Sequence, residues 1–349
     1  MPVGKWVGVG FIAMTAACNT IVGNDIGHLG DAAVGDGAEP PVADGNGGDS
    51  GTVSSDGGGS GCGVDGAVNE DDPVDAAAGM TCGFTMPNPA SAGLPNPASY
   101  TPNVADGTIT DNVTGLTWEG TVEPNAQYTQ TQAIRHCDDM GGGWRLPTRL
   151  ELVSLVDFTI AKPGPTINAI FKNTPAQRFW TSSHFACDPN QAYYIGFDYG
   201  STHPVNINNP YWVRCVRGTG SRCSPTRYQV QADGSVQDFA TGLTWQRNVP
   251  TQNMTWSEAM TFCPTLGPGW RLPSPTELQT IVDPTQVDPT QTPPRPPING
   301  DAFPNTPVGF FWTSSPQAGN SGYAWYIAFI HGHAETEPVA TDYWVRCVL

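Results

Sequence analysis

The chain has 349 residues, of which 38% are hydrophobic and 13% charged, and its formal net charge is −17 at pH 7. That length predicts two or three domains, and the acidic balance excludes a nucleic-acid partner, which needs a basic face to displace counterions from phosphates. The charge is concentrated: residues 24–79 hold twelve Asp or Glu and no Lys or Arg, so the remainder is only mildly acidic.

The first residues, Met1-Pro2-Val3-Gly4-Lys5, precede an apolar run from Trp6 to Met14 and then Thr15-Ala16-Ala17-Cys18. A basic start, a short apolar core and small residues predict an export signal over 1–17, too short to span a bilayer comfortably. The small residues before Cys18 resemble a bacterial lipobox, which implies lipidation of Cys18 and membrane attachment through its acyl chains. Thr15 stands where a lipobox usually has leucine, so cleavage by the general signal peptidase, and plain secretion, remains the alternative. Asn19 is not the aspartate that this resemblance links to inner-membrane retention, which implies an outer-membrane address. Residues 18–80, rich in Gly, Asp and Ala, hold too little apolar surface to offset the entropy of ordering. They are expected to form a disordered tether, with a reach of roughly 40 Å for about 56 residues of flexible coil.

Beyond it the chain repeats. Thr114-Gly115-Leu116-Thr117-Trp118 recurs as Thr241-Gly242-Leu243-Thr244-Trp245, Gly143-Trp144-Arg145-Leu146-Pro147 as Gly269-Trp270-Arg271-Leu272-Pro273, and Phe179-Trp180-Thr181-Ser182-Ser183 as Phe311-Trp312-Thr313-Ser314-Ser315. Tyr211-Trp212-Val213-Arg214-Cys215-Val216 returns as Tyr343-Trp344-Val345-Arg346-Cys347-Val348. The offset is 127, 126 and 132 at the first three pairs of tryptophans, so the copies stay in register apart from one insertion. A period this long is a whole domain, and the predicted modules are 81–219 and 220–349.

Each module reads as strands, helices, then strands. Capping boxes at Thr129/Gln132, Thr148/Glu151, Thr255/Glu258 and Ser274/Glu277 predict two helices per module. Aromatic and β-branched runs at Trp180 to Ser183, Ala192 to Asp198 and Tyr211 to Arg217 predict strands, with Gly200 and Gly332 at hairpin turns. There are nine cysteines. With Cys18 taken by lipid, eight remain, and the matched positions predict bridges Cys137–Cys215 and Cys263–Cys347, each contributing on the order of 4 kcal/mol. Cys62, Cys82, Cys187 and Cys223 allow three pairings. The expected module is a compact α+β unit.

The motifs TGLxW, GWRLPTxxEL, the WTSS-like strand and the closing YxVRCV, over 107–217 and 234–349, resemble the Lcl C-terminal domain family, long known as a domain of unknown function. The resemblance implies two tandem modules related to the C-type lectin-like fold. It implies little about a ligand, because that fold hosts many functions.

Tryptophans kept in both copies are expected in the core. Trp256, Trp325 and Tyr193 lack that constraint and are expected to offer exposed contacts to a ligand. Arg145, Glu151 and Arg214, with Arg271, Glu277 and Arg346, read as an ion pair pinning the second helix to the last strand; no nucleophile accompanies them. His331-x-His333-x-Glu335-x-Glu337 would line one face of a straight strand, but Gly332 breaks the alternation, and no metal or cofactor is assigned. Asp283, Asp288, Asn299 and Asp301 gather oxygens near a Pro-rich insertion, yet the sugar-binding triplets of calcium-dependent lectins are absent. An enzyme related to formylglycine-generating oxidases would need reactive cysteines, and nothing near Cys187 suggests a thiolate. The sequence therefore predicts a surface-anchored, non-enzymatic binding or adhesion protein with a glycan or protein partner; the alternative is a structural envelope lipoprotein.

Overall fold

A threonine or serine three residues ahead of Gln or Glu can satisfy the free N–H groups of a helical first turn, and all four predicted boxes do so. They open α1 (Gln130–Asp139), α2 (Arg149–Val153), α3 (Trp256–Phe262) and α4 (Pro275–Gln279). The computed structural model describes residues 74–75, 80–219, 222–224, 226–284 and 295–349. The predicted export signal, Cys18, Cys62, most of the acidic stretch and residues 285–294 of the insertion lie outside the described residues, as do the side chains of Cys82 and Cys223.

Strands β1 (Val74–Asp75) and β2 (Met80–Gly83) come first, followed by β3 (Tyr100–Asn103), β4 (Thr108–Asp111) and β5 (Thr117–Glu119). After α2 come β6 (Arg178–Phe185), β7 (Asp188–Gly196), β8 (Thr202–Asn206), β9 (Val216–Arg217) and β10 (Arg222–Ser224). The second copy supplies β11 (Tyr228–Val230), β12 (Val236–Asp238) and β13 (Thr244–Trp245), then β14 (Phe310–Gln317), β15 (Asn320–Ala328) and β16 (Ala334–Pro338). The β2 and β10 backbones pair with position 82 opposite position 223.

The closing segment is less regular than predicted. Tyr211 bridges Tyr128, Trp212 bridges Phe179, and only Val216–Arg217 forms a strand, paired with β5. Each part has a different partner because the segment passes from the helix side of the module to its opening sheet. Its companions are the bridges Cys137–Cys215 and Cys263–Cys347, whose Cα atoms are 5.5 Å apart in both modules. In the chain-entropy account, loops of 78 and 84 residues contribute about 4.5 kcal/mol each.

The modules are joined through a single sheet in the order β14-β15-β16-β8-β7-β6, and all described residues belong to one compact unit, Gly58–Leu349. At the seam Ala334 of β16 pairs with Thr202 of β8. These positions are equivalents under the 132-residue offset, so the seam lies on a pseudo-two-fold axis. Side chains alternate across the sheet. Phe179, Ile195, Phe311, Trp325 and Ile327 face a core shared by both modules. Trp180 and Ala192 face a smaller cluster around Cys137–Cys215, and Trp312, Ala324 and Tyr326 face its counterpart around Cys263–Cys347. The sheet is thus buried on both faces.

Candidate functional site

The residues expected to offer exposed contacts do not gather into a site. Tyr193 and Trp325 are equivalents under the offset, and both are buried, which corrects that expectation. They lie two residues before Ile195 and Ile327, on the strand face turned towards the shared core. Tyr193 donates its hydroxyl to the carbonyl of His331 in the other module at 2.7 Å. Trp325 packs on Phe158 and Tyr199 of the first module, with centroids 4.9 and 4.8 Å away. Trp256 is half-buried, and its indole N–H donates to Thr313 O at 2.8 Å. Alternation with isoleucine was the sequence signal that marks Tyr193 and Trp325 as inward.

The repeated charges are used by the fold. Arg145 donates to both oxygens of Glu151, at 2.6 and 2.7 Å, while Glu151 also accepts the Thr148 N–H at 2.9 Å. Arg271, Glu277 and Ser274 repeat the arrangement. Backbone bonds between Arg145 and Val216 link this ion pair to the last strand, as expected. Arg214 and Arg346 are not part of it. They are fully buried and donate elsewhere: Arg214 to Glu119 O and to Thr174 Oγ1 (2.6 Å), Arg346 to Gln246 O and Thr306 Oγ1 (both 2.7 Å). Burial pushes their guanidinium groups down to about 10 and about 9, still protonated at neutral pH.

The His331 to Glu337 run lies beside the seam. Gly332 occupies a positive-φ turn (75°), so His331 precedes β16 instead of sharing a face with Glu335. His203 Nε2 lies 3.0 Å from Glu335 Oε1, and the rings of His203 and His333 stack at 5.2 Å. Among the described residues, His, Cys, Asp and Glu form no group of three or more that could hold a metal ion. Cys187 is half-buried between β6 and β7, outside the two bridges.

A groove that the sequence did not single out opens in the first module. Asp106, Glu119, Met140, Trp144 and Arg217 line it around a floor of Gly107 and Gly120, with a volume of about 370 Å³. A Cβ on Gly120 would come within 2.2 Å of Gly107 O, so the two backbones touch and no side chain rises between them. The Arg217 guanidinium sits 4.9 Å from the Trp144 ring centroid and 3.4 Å from Asp106 Oδ2. Glu119 Oε2 accepts the Cys215 N–H at 3.1 Å. Burial raises the Glu119 carboxyl above its usual range, against the lowering effects of that hydrogen bond and of Arg214. In the second copy Gln246 accepts the Cys347 N–H at the same 3.1 Å, and Leu349 takes the position of Arg217. A comparison of charge between the copies would have exposed this difference from sequence.

No curated protein matches the chain. The family model described as Lcl C-terminal domain matches residues 107–217 and again 234–349. Those two matches fall on the two copies, take in more than half of the chain and include every residue of the groove except Asp106, and on that ground the protein belongs to the Lcl C-terminal domain family.

Proposed function

We propose that the protein is a surface-anchored, non-enzymatic binding or adhesion protein whose paired modules, of C-type lectin-like kind, recognise a glycan or protein partner. The observation that carries this reading is the contrast between the copies. Most residues they share are occupied in packing, bridges and ion pairs, whereas the groove beside the shared Trp144 carries two charges, on Glu119 and Arg217, that the second copy replaces with Gln246 and Leu349. A fold that keeps its shape and varies its surface is suited to recognition. The export signal and lipidated Cys18 predicted from the sequence support attachment to the outer membrane.

The test is a glycan-array and affinity-capture screen with the intact chain, with and without calcium. Saturable binding without turnover is expected; the absence of any saturable partner would leave the structural envelope lipoprotein in its place. Thiol titration of the oxidised protein is the check on oxidase chemistry, which zero thiols would exclude. Labelled palmitate should enter the chain and be lost in Cys18→Ala; unchanged labelling would refute the anchor.

A further inference from the structure

We propose that the groove of Asp106, Glu119, Met140, Trp144 and Arg217 is the subsite for one uncharged or amino-substituted sugar ring, an inference that rests on the binding function proposed above. A sugar ring has an apolar C–H surface and a rim of hydroxyl groups. Met140, 44% exposed, supplies apolar surface beside the half-buried Trp144, whose ring carries the Arg217 guanidinium, and the carboxylates and guanidinium supply acceptors and donors around it. The volume of about 370 Å³ lies within the range of small-molecule sites.

Charge narrows the ligand. Arg217 is already paired with Asp106 at 3.4 Å, so Glu119, with the buried Arg214 behind it, is the charge that a ligand meets without a counterion in the lining. A sulfate or uronate would meet that charge, whereas hydroxyl donors or an ammonium group would be bound by it. Glu119 spends one oxygen on the Cys215 N–H and keeps Oε1 for a ligand.

The second copy shows that the charges of Glu119 and Arg217 are not needed for folding. Gln246 gives Cys347 the same backbone acceptor that Glu119 gives Cys215, at the same distance. Leu349 stands for Arg217, and Arg247 stands for Gly120, its guanidinium bound to Asp301 O and Ala302 O. Glu119→Gln and Arg217→Leu therefore borrow residues that the same fold already accepts.

The experiment places the intact protein on an array of cello-, manno- and chito-oligosaccharides, a chitosan tetramer and a heparin tetrasaccharide, then measures the strongest binder by calorimetry against both variants. The expected result is binding to a neutral or amino oligosaccharide, weakened at least tenfold by Glu119→Gln, and by Arg217→Leu as well where the binder is neutral, with unchanged melting temperatures. Binding that both variants retain would overturn the subsite and leave the binding function standing. Preference for heparin would overturn the ligand class and likewise leave that function. Failure to bind any glycan overturns the subsite, and the wider reading then falls only if affinity capture also yields no saturable protein partner.

Discussion

Arg149 begins α2 in the first module, yet its side chain is fully buried against the second. It donates to Gln279 Oε1 at 2.9 Å and to Val282 O at 3.3 Å, and its guanidinium lies 5.6 Å from the Tyr193 ring centroid. Arg149→Met keeps most of the apolar stem and removes the donors. A hydrogen bond from a charged group to a buried acceptor is worth about 1.5–3 kcal/mol, and acceptors left without that donor in the interior add to the loss. Relief from burying a cation works the other way and can be large. Taking the bonds as dominant, the net cost is about 3 kcal/mol. At roughly 2 °C per kcal/mol for a unit of this size, the melting temperature falls by about 6 °C. Calorimetry of Arg149→Met, Gln279→Met and the double variant measures both the shift and the coupling, expected at about 1.5–3 kcal/mol. A melting temperature within 1 °C of wild type, or zero coupling, would show that the guanidinium does not lock the modules together.

Glu277→Ala should cost about 3–5 kcal/mol and be the costlier of the two matched glutamate deletions, because Glu277 also accepts a hydrogen bond from Asn88 Nδ2 at 3.0 Å and its partner Arg271 is less exposed than Arg145; equal melting shifts for Glu151→Ala and Glu277→Ala would contradict this. Replacing both cysteines of either bridge by alanine should cost about 4.5 kcal/mol, nearly equal for loops of 78 and 84 residues, as read by denaturant titration; a loss below about 1 kcal/mol would refute the entropic account. Burial, with His203 and His331 adding to it, pushes His333 down to about 3, below the value near 6.5 of an unfolded chain. The unfolded state then binds more protons between these values, so stability is full above about pH 6.5 and declines as pH falls towards 3, by at most about 1.4 kcal/mol per unit. Glu335 acts in the same direction: burial opposes its ionisation, but His203 prevails and holds its carboxyl below the usual range. Melting temperatures at pH 7 and 4.5 should differ less in His333→Asn than in wild type; an unchanged difference would remove His333 from the account.

Much of the fold was legible because it is written locally. A capping box is four residues long and was read correctly at Thr129, Thr148, Thr255 and Ser274. Cysteines at matched positions gave both bridges. The union of the modules was not legible, since it depends on residues far apart in sequence. Arg149 looks like an ordinary first-turn residue until Gln279, 130 positions away, closes over it. Tyr193 and Trp325 looked like candidates for exposed contacts because the copies differ there, but an isologous seam gives two different residues equivalent burial. The groove escaped notice because Glu119 sits among strand residues and only its replacement by Gln246 marks its charge as optional for folding.

The meeting of Thr202 with Ala334 has a further consequence. Two separate polypeptides related by such an axis would form a homodimer that comes apart on dilution. Here one chain carries both partners, so their association is independent of concentration. Each half is also released from matching the other: one side of the axis can keep histidine while the other takes glutamate, as His203 and Glu335 do. Covalent linkage thus lets a symmetric assembly evolve two unlike surfaces without losing the contact that made it stable.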